Sequence, residues 1–194
     1  MRESCEMRIV GGEFRGRRIA APSGQTTRPT TDRTRESLFN ILAHRPGFVF
    51  EGARVLDLFA GSGALGFEAM SRGASFCLFV DTDAAARGAI RDNVEALGLF
   101  GNTRIHRRPA DALGTKPAGV GARFDLVFMD PPYRKDLITP TLKTLAEGEW
   151  LAPGALILAE HAKGETFEMP EGFGHEETRS FGDTEIAFLT APSA

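Results

Sequence analysis

A strand that runs into a glycine-rich turn and then into a helix is the feature that most constrains the fold of this chain. The predicted strand 54–60 is followed by Gly61-Ser62-Gly63-Ala64-Leu65-Gly66, which has the spacing G-x-G-x-x-G, and a helix is predicted over 64–72. Glycines permit a tight turn and allow a ligand to approach the backbone, and the start of the helix points at that ligand. The segment therefore predicts a ligand-binding loop at the end of a strand.

An acidic residue follows this loop at the spacing that is typical of nucleotide-binding folds. The next apolar run, 75–80, ends in Asp81, about twenty residues after the first glycine, where an acid on a second strand reaches ribose hydroxyls. Together with the glycines, Asp81 predicts a site for an adenosine-containing cofactor. The alternative is a glycine-rich connection that only packs a helix on a strand.

Strands and helices alternate along most of the chain. Strands are predicted over 54–60, 75–81, 103–108, 123–129 and 155–160, and helices over 64–72, 83–97 and 136–147. This alternation predicts an α/β fold with a mostly parallel sheet covered by helices on both faces. The runs 175–180 and 185–190, on either side of Gly182-Asp183, predict an antiparallel hairpin at the edge of the sheet.

A second motif follows the strand predicted over 123–129. The sequence there is Asp130-Pro131-Pro132-Tyr133. Two prolines remove two backbone donors and stiffen the loop, so its carbonyl groups are available to accept hydrogen bonds from a ligand. Asp130 adds a carboxylate acceptor, and Tyr133 offers a flat ring on which a heterocycle can stack. The motif predicts a site for a planar ring with an exocyclic amine; a rigid turn is the alternative. Both motifs follow strands, so we expect them to share the crevice at the carboxyl ends of the sheet.

Positive charge is concentrated near the N-terminus, although the formal net charge of the chain is −3. The arginines there are Arg8, Arg15, Arg17, Arg18, Arg28, Arg33 and Arg35. The planar guanidinium group matches two phosphate oxygens, so this distribution predicts an RNA-binding arm. A solvated extension without a partner is the alternative.

The same stretch predicts two small elements. Short apolar pieces around the glycines of 7–21 predict a β-hairpin, and Thr30, Thr31 and Asp32 provide an N-cap for a helix that reaches about His44. We expect Arg33 and Arg35 to lie off the apolar face of that helix and to extend the basic surface. The predicted division is a basic extension over 1–45 and a catalytic domain over 46–194.

Composition excludes several classes of protein. Cys5 and Cys77 are too few for a disulfide framework and are expected to be reduced thiols. The histidines are scattered without ligand spacing, so no metal site is predicted. No uninterrupted apolar run approaches the ~20 residues that a membrane helix needs. We therefore expect a soluble, cytoplasmic protein, and we expect it to be a monomer.

At this point a family resemblance becomes visible. Asp57-Leu58-Phe59-Ala60-Gly61-Ser62-Gly63, together with Asp130-Pro131-Pro132-Tyr133, resembles the two signature motifs of S-adenosylmethionine-dependent amino-methyltransferases. Four more stretches resemble the bacterial 16S ribosomal RNA guanine-N2 methyltransferase family, namely 7–12, 15–18, 28–40 and 71–74. The resemblance extends to 181–184, where the family more often has Tyr-Gly than Phe-Gly.

The resemblance implies a fold, a reaction and a set of site residues. The fold is a class I methyltransferase with a Rossmann-like sheet, the cofactor is S-adenosylmethionine, and the partner is 16S ribosomal RNA or the assembling 30S subunit. The reaction is methylation of the exocyclic N2 amine of a guanine, guanine 966 in the family. The implied cofactor-binding residues are Asp57, Phe59, Ala60, Gly61, Ser62, Gly63, Asp81, Thr82, Asp111 and Ala112. The implied catalytic residues are Asp130, Pro131, Pro132 and Tyr133.

Individual roles also follow from the resemblance. Asp57 anchors the methionine end of the cofactor, Asp130 and the Pro131 carbonyl accept the amine hydrogens, and Tyr133 stacks on the base. Asp111 accepts the adenine amine; a helix N-cap is the alternative for this residue.

Three other functions are consistent with parts of the sequence. The glycine motif with Asp81 would also serve an NAD-dependent oxidoreductase, but no paired proton donor and acceptor is apparent. A non-catalytic RNA-binding protein would not require both motifs. A DNA adenine-N6 methyltransferase shares Asp-Pro-Pro-Tyr, but the chain of 194 residues leaves no room for a separate target-recognition domain.

Overall fold

The structure is a computed structural model and describes residues 7–22 and 31–193. In chain order the strands and α-helices are β1 (Met7–Arg8), β2 (Arg18–Ile19), α1 (Asp32–Ala43), β3 (Arg54–Leu58), α2 (Ala64–Ser71), β4 (Phe76–Val80), α3 (Ala84–Leu97), β5 (Thr103–His106), β6 (Phe124–Met129), α4 (Ile138–Glu147), β7 (Leu151–Ala162), β8 (Gly174–Phe181) and β9 (Thr184–Thr190). Two 3-10 helices, Ala110–Ala112 and Ala118–Val120, lie between β5 and β6.

Strands β3 to β9 form one seven-stranded sheet with the order β5-β4-β3-β6-β7-β9-β8. Strands β3 to β7 are parallel, and β9 is antiparallel to both of its neighbours. This confirms the predicted mostly parallel sheet with an antiparallel C-terminal hairpin. The chain builds outward from β3 through β4 to β5 and then returns to β6 on the other side of β3. The carboxyl ends of β3 and β6 therefore flank the position where ligands bind in open parallel sheets.

Alternate residues of the central strands enter two separate cores, one on each face of the sheet. Val55 and Phe128 belong to one hydrophobic cluster, and Leu56 and Val127 belong to the other. All four side chains are buried. Strands covered on both faces read as continuous apolar runs, which is why these segments were recognisable as strands in the sequence.

Several elements begin or end away from their predicted bounds because of backbone geometry. Strand β3 stops at Leu58 because Phe59 adopts a left-handed conformation with φ of 56°. Helix α4 begins at Ile138 and not at 136, since Asp136 has φ of 50°, which a right-handed helix cannot include. Helix α1 is capped as predicted, because the Thr31 side chain accepts a hydrogen bond from the Thr34 amide.

The N-terminal hairpin of β1 and β2 is docked on the sheet domain. Met7, Ile9 and Ile19 share one hydrophobic cluster with residues of α1, α2 and β3. The backbone N–H of Val10 donates to the buried Glu68 carboxylate at 2.8 Å, and that of Phe14 donates to the Ser71 hydroxyl at 2.9 Å. The division at residue 45 stays a prediction, and the two predicted parts share one core.

We expect Gly12→Ala to destabilise the fold. The added Cβ would lie 1.9 Å from the Ser71 carbonyl oxygen, and the backbone of Gly12 has φ of +76°. A strained left-handed residue costs about 1–3 kcal/mol, and the clash with Ser71 adds to this. Urea unfolding of the variant and the parent protein measures the loss.

Gly16→Ala is the matched control. Gly16 has φ of +82°, but nothing lies within 4 Å of its Cβ position. Gly12→Ala should lose more unfolding free energy than Gly16→Ala. Equal losses would show that the close approach of the hairpin to α2 contributes nothing to stability.

Candidate active site

The two sequence motifs lie at neighbouring positions on the carboxyl edge of the sheet. The glycine loop 59–63 follows β3, and the loop 130–137 follows β6, which is paired with β3. The Asp130 amide donates to the Leu58 carbonyl at 3.5 Å, and the Ala60 amide donates to the Val80 carbonyl at 3.1 Å. Sequence positions about seventy residues apart thus lie side by side at the carboxyl edge of the sheet, where open parallel sheets bind ligands. We call the space between the loops 59–63 and 130–137 the cleft.

Asp57 fixes the turn between β3 and α2. Its side chain is buried, and its Oδ2 accepts a hydrogen bond from the Gly66 amide at 2.9 Å. A Cβ at position 66 would lie 2.9 Å from the same oxygen and 2.4 Å from Cε1 of Phe79. Glycine is therefore required for α2 to begin this close to the end of β3. The second oxygen of Asp57 makes no hydrogen bond within the described residues.

Three carboxylates with limited access to solvent lie near one another here: Asp57 and Glu160 are buried, and Asp130 is half-buried. Burial raises the pKa of Asp57 to about 8, against the Gly66 hydrogen bond, which lowers it; nearby Asp81 raises it further. Burial also raises the pKa of Asp130 well above its usual range, with contributions from Glu160 and Asp57. Within the described part of the chain, no lysine or arginine forms an ion pair with Asp57, Asp130 or Glu160. A ligand that carries positive charge would therefore be stabilised here.

Asp81, directly after β4, holds the glycine loop through its side chain. Its Oδ2 accepts from the Gly61 amide, and its Oδ1 accepts from the Asp83 amide, both at 2.8 Å. Each carboxylate oxygen has two lone pairs, so Asp81 keeps acceptor capacity for a ligand hydroxyl. Thr82, the next residue, is exposed.

The glycine loop carries backbone strain where the ligand was predicted. Phe59 has φ of 56°, and Gly61 and Gly63 have φ of 55° and 77°. A left-handed phenylalanine is rare and persists only where the surroundings enforce it, which is typical of ligand-binding loops. Ala60, between these residues, is half-buried.

Ser62 is held from behind by the N-terminal segment. Its carbonyl accepts from Nδ2 of Asn93 at 3.1 Å, and its hydroxyl donates to Sδ of Met7 at 3.5 Å. Asn93 also pairs with both backbone groups of Ala20. Asn93 therefore has a structural role, and the Ser62 hydroxyl is engaged by the protein itself.

Asp111 lies within the 3-10 helix Ala110–Ala112, whose N-cap is Pro109. The alternative role of Asp111 as a helix N-cap is therefore wrong. Its carboxylate is half-buried and makes no hydrogen bond with the residues that the structure describes. An acceptor for an adenine amine stays a prediction for Asp111, and Ala112 beside it is exposed.

The loop after β6 presents a half-exposed aromatic ring with an anchored end. Pro131 is buried and Pro132 is exposed, while Tyr133 is 44% exposed. The Tyr133 hydroxyl donates to Oε1 of Glu160 at 2.8 Å and lies 2.8 Å from Oγ1 of Thr184. The ring is thus available for stacking, while its hydroxyl is fixed to the sheet.

Of the seven arginines predicted to form a basic surface, five are exposed, one is buried and one lies outside the described residues. The exposed ones are Arg8, Arg15, Arg17, Arg18 and Arg33. Arg17 also donates to the Ala96 carbonyl near the end of α3. Arg28 lies outside the described residues. Arg35 was expected on the surface, but it is 1% exposed and donates to the Arg8 carbonyl and to Oδ1 of Asp32. Its position is a correction: Arg35 joins α1 to the hairpin.

The sequence analysis missed Glu160, which the structure places beside Asp130. Glu160 lies near the carboxyl end of β7, the strand next to β6. An acid close to the end of a predicted parallel strand was the available signal.

Residues 7–22 and 31–193 contain no group of three or more His, Cys, Asp or Glu side chains that could hold a metal ion.

Comparisons with known proteins agree with this geometry. The family model described as conserved hypothetical protein 95 matches residues 7–190. Over 157 residues the chain is 41% identical to ribosomal RNA small subunit methyltransferase D of Escherichia coli (strain K12), covering 81% of this chain and 75% of that protein. The protein of the same name from Haemophilus influenzae is 35% identical over 170 residues, with 87% and 85% covered. The solved structure of yhhF from Escherichia coli has a TM-score of 0.83 at 34% identity, covering 97% of this chain and 99% of that chain.

The raised pKa of Asp57 predicts a pH dependence of stability in the ligand-free protein. The folded state keeps a proton on Asp57 up to about pH 8, whereas the unfolded chain loses it near 3.9. This contribution is fully present below about pH 4 and is lost as pH rises to about 8, with a slope of at most ~1.4 kcal/mol per pH unit.

Asp57→Asn keeps an oxygen for the Gly66 amide and removes the titration. Urea unfolding between about pH 5 and pH 8 should show a flatter pH dependence in this variant than in the parent. Asp125→Asn is the control, because Asp125 is an exposed carboxylate that accepts the Arg54 amide. A slope in Asp57→Asn equal to that of the parent would contradict the prediction.

Proposed function

The chain belongs to the conserved hypothetical protein 95 family, and on that premise we propose that it transfers a methyl group from S-adenosylmethionine to the N2 amine of a guanine in 16S ribosomal RNA. Relatives that carry the name ribosomal RNA small subunit methyltransferase D support the reaction class and the substrate. The target, guanine 966, and the assembling 30S subunit as the substrate form part of the same proposal.

The observation that carries this proposal is the acidic cleft between two loops. The glycine loop and the Asp130–Tyr133 loop follow the paired strands β3 and β6, and the buried Asp57 and half-buried Asp130 have no paired cation among the described residues. A cationic methyl donor beside the glycine loop would compensate the charge of Asp57, and an amine-bearing base beside the other loop would donate to Asp130.

The residues of the glycine loop fit S-adenosylmethionine. Bound there, the cofactor supplies an electrophilic methyl group on a positively charged sulfur. Asp57 would stabilise its positive charge, and Asp81 would accept its ribose hydroxyls while continuing to hold Gly61. The half-buried, unpaired carboxylate of Asp111 would accept the adenine amine. The left-handed Phe59 and the close-packed Gly66 shape the loop so that backbone atoms reach the ligand.

The loop after β6 would orient the nucleophile. The lone pair of a guanine N2 amine is delocalised into the ring, so the amine must be turned by acceptors for its two hydrogens. Asp130 and the Pro131 carbonyl would provide these acceptors, and the exposed face of Tyr133 would hold the base by stacking. As the nitrogen gains a bond to carbon it gains positive charge and must lose a proton. The raised pKa of Asp130 makes its carboxylate a suitable acceptor for that proton.

The surface around the cleft suits an RNA partner. Exposed arginines of the hairpin lie on the element that contacts Ser62 of the glycine loop directly through Met7 and, by way of Asn93, through Ala20. Arg134 and Lys135 are exposed directly after Tyr133, and neither side chain forms an ion pair within the described residues. A base that is unpaired in the folded RNA would reach such a cleft at the lowest energetic cost.

In the described part of the chain, no helix is both long and apolar enough to cross a membrane.

The decisive experiment follows labelled methyl transfer from S-adenosylmethionine to 30S particles, to 16S RNA and to duplex DNA. Mass spectrometry of the nucleosides should show N2-methylguanosine in a ribosomal sample. Methyladenine in DNA would favour an adenine-N6 enzyme, and no transfer to any substrate would contradict the proposed function.

Asp130→Ala should lower the transfer rate by at least ~10²-fold, since it removes both the acceptor and the base. Binding of S-adenosylhomocysteine, measured by calorimetry, should persist, because the glycine loop is unchanged. Asp136→Asn, an acid of the same loop that the proposal does not use, is the control. A rate within a few-fold of the parent would remove Asp130 from the reaction.

Replacing Arg15 and Arg33 by glutamine should weaken RNA binding and flatten its dependence on salt. Each lost phosphate contact reduces the slope of log K against log salt by roughly 0.7–0.9. Both side chains are exposed and have no hydrogen bond or ion pair with described residues. Arg123→Gln, at the amino end of β6 and paired with Glu149, is the control. An unaltered slope in the double variant would exclude these two arginines from the interface.

A further inference from the structure

We propose that Glu160 is a positioning residue of the methyl-transfer site, which fixes the ring of Tyr133 through its hydroxyl and places a buried carboxylate beside Asp130. The proposal deepens the proposed function and rests on it. Neither sequence motif includes Glu160, which comes from a third strand.

Two strands contribute a partner to the Tyr133 hydroxyl. Glu160 reaches it from β7, and Thr184 reaches it from the start of β9, both at 2.8 Å. Strands β7 and β9 are paired directly, with Glu160 opposite Ile186 and Ala162 opposite Thr184. A phenol has one proton, and it is donated to the Glu160 carboxylate. Thr184 must then donate its own proton to the phenol oxygen, so all three groups have fixed roles.

We call the hydrogen bonds of the Tyr133 hydroxyl with Glu160 and Thr184 the anchor. The anchor holds the loop 130–137 in a strained backbone conformation. Arg134 and Asp136 have φ of 58° and 50°, and left-handed residues of this kind cost of order 1–3 kcal/mol each. The Arg134 amide is held by Oε1 of Glu165, whose Oε2 accepts the Ala162 amide. Strand β7 and the turn that follows it thus restrain the loop at two points, because Glu160 of β7 holds Tyr133 and Glu165 of the turn holds Arg134. A stacking ring whose end is fixed loses less entropy when a base binds.

Glu160 also acts on Asp130 through its charge. The ionisable groups that face this pair are Asp57 from β3, Tyr133 from the loop and His161 from β7. Burial raises the pKa of Glu160, whereas the Tyr133 hydrogen bond and His161 oppose the rise. An ionised Glu160 makes Asp130 a stronger base, and a stronger base accepts the amine proton more readily as the nitrogen becomes positive.

Two variants separate the anchor from the charge. Glu160→Gln keeps an oxygen that can accept the Tyr133 proton and removes the negative charge. Tyr133→Phe keeps the ring and the charge of Glu160 and removes the hydroxyl. Glu185→Gln, in which a neighbouring carboxylate of β9 outside the Tyr133 contacts loses its charge, is the control.

The charge is tested by the pH dependence of kcat in methyl transfer. Without the negative charge of Glu160 the pKa of Asp130 falls, so the acid limb of Glu160→Gln should move to lower pH by roughly one unit, a common size for a carboxylate perturbation. Glu185→Gln should keep the acid limb of the parent. An acid limb of Glu160→Gln at the position of the parent would overturn the electrostatic half of the proposal.

The anchor is tested without RNA, by trypsin cleavage after Arg134 and Lys135 in the native protein. Loss of a hydrogen bond to a charged group should make cleavage of Tyr133→Phe faster by roughly tenfold or more. Glu160→Gln should cleave more slowly than Tyr133→Phe, because its amide oxygen still accepts. Cleavage of Tyr133→Phe at the parent rate would overturn the positioning role. Should the parent methylate no RNA while the cleavage rates follow this order, the proposed function fails and the anchor stands.

Discussion

The hydrogen bond from the Gly66 amide to the buried carboxylate of Asp57 is the contact on which the rest of the site depends. It joins the end of β3 to the first turn of α2 and leaves no space for a side chain at position 66. With these two ends fixed, the intervening loop must turn within a few residues. That requirement accounts for the left-handed backbone at Phe59, Gly61 and Gly63. Asp81 then secures the loop from the neighbouring strand.

The burial of Asp57 in this contact is one reason why the cleft holds acidic side chains without basic partners among the described residues. Asp57 holds the Gly66 backbone from a buried position, and burial without a cation favours the protonated form of a carboxylate. Asp57, Asp130 and Glu160 are all affected in this way. No cation of the described residues lies paired with these carboxylates. A bound cationic methyl donor would therefore stabilise their ionised forms.

Much of the fold and part of the site could be predicted from the sequence, because their signals are local. The alternation of apolar runs with helical segments predicted the mostly parallel sheet and its antiparallel C-terminal hairpin, and the glycine spacing placed the loop directly after a strand, where Asp81 holds it. Arg35 was misplaced because its burial depends on the Arg8 carbonyl, which lies on a different element. The contact of Glu160 with Tyr133 was invisible for the same reason, since 27 residues separate the two side chains.

The docked N-terminal hairpin has a consequence for the order in which the molecule is built. Its backbone donors at Val10, Phe14 and Ala20 pair with side chains that lie 58, 57 and 73 residues further along the chain. During synthesis these partners leave the ribosome long after the hairpin does, and contacts of such long range close slowly. The hairpin is thus made well before the side chains that secure it. Because Asn93 holds both Ala20 and Ser62, the step that seats the hairpin also completes the glycine loop.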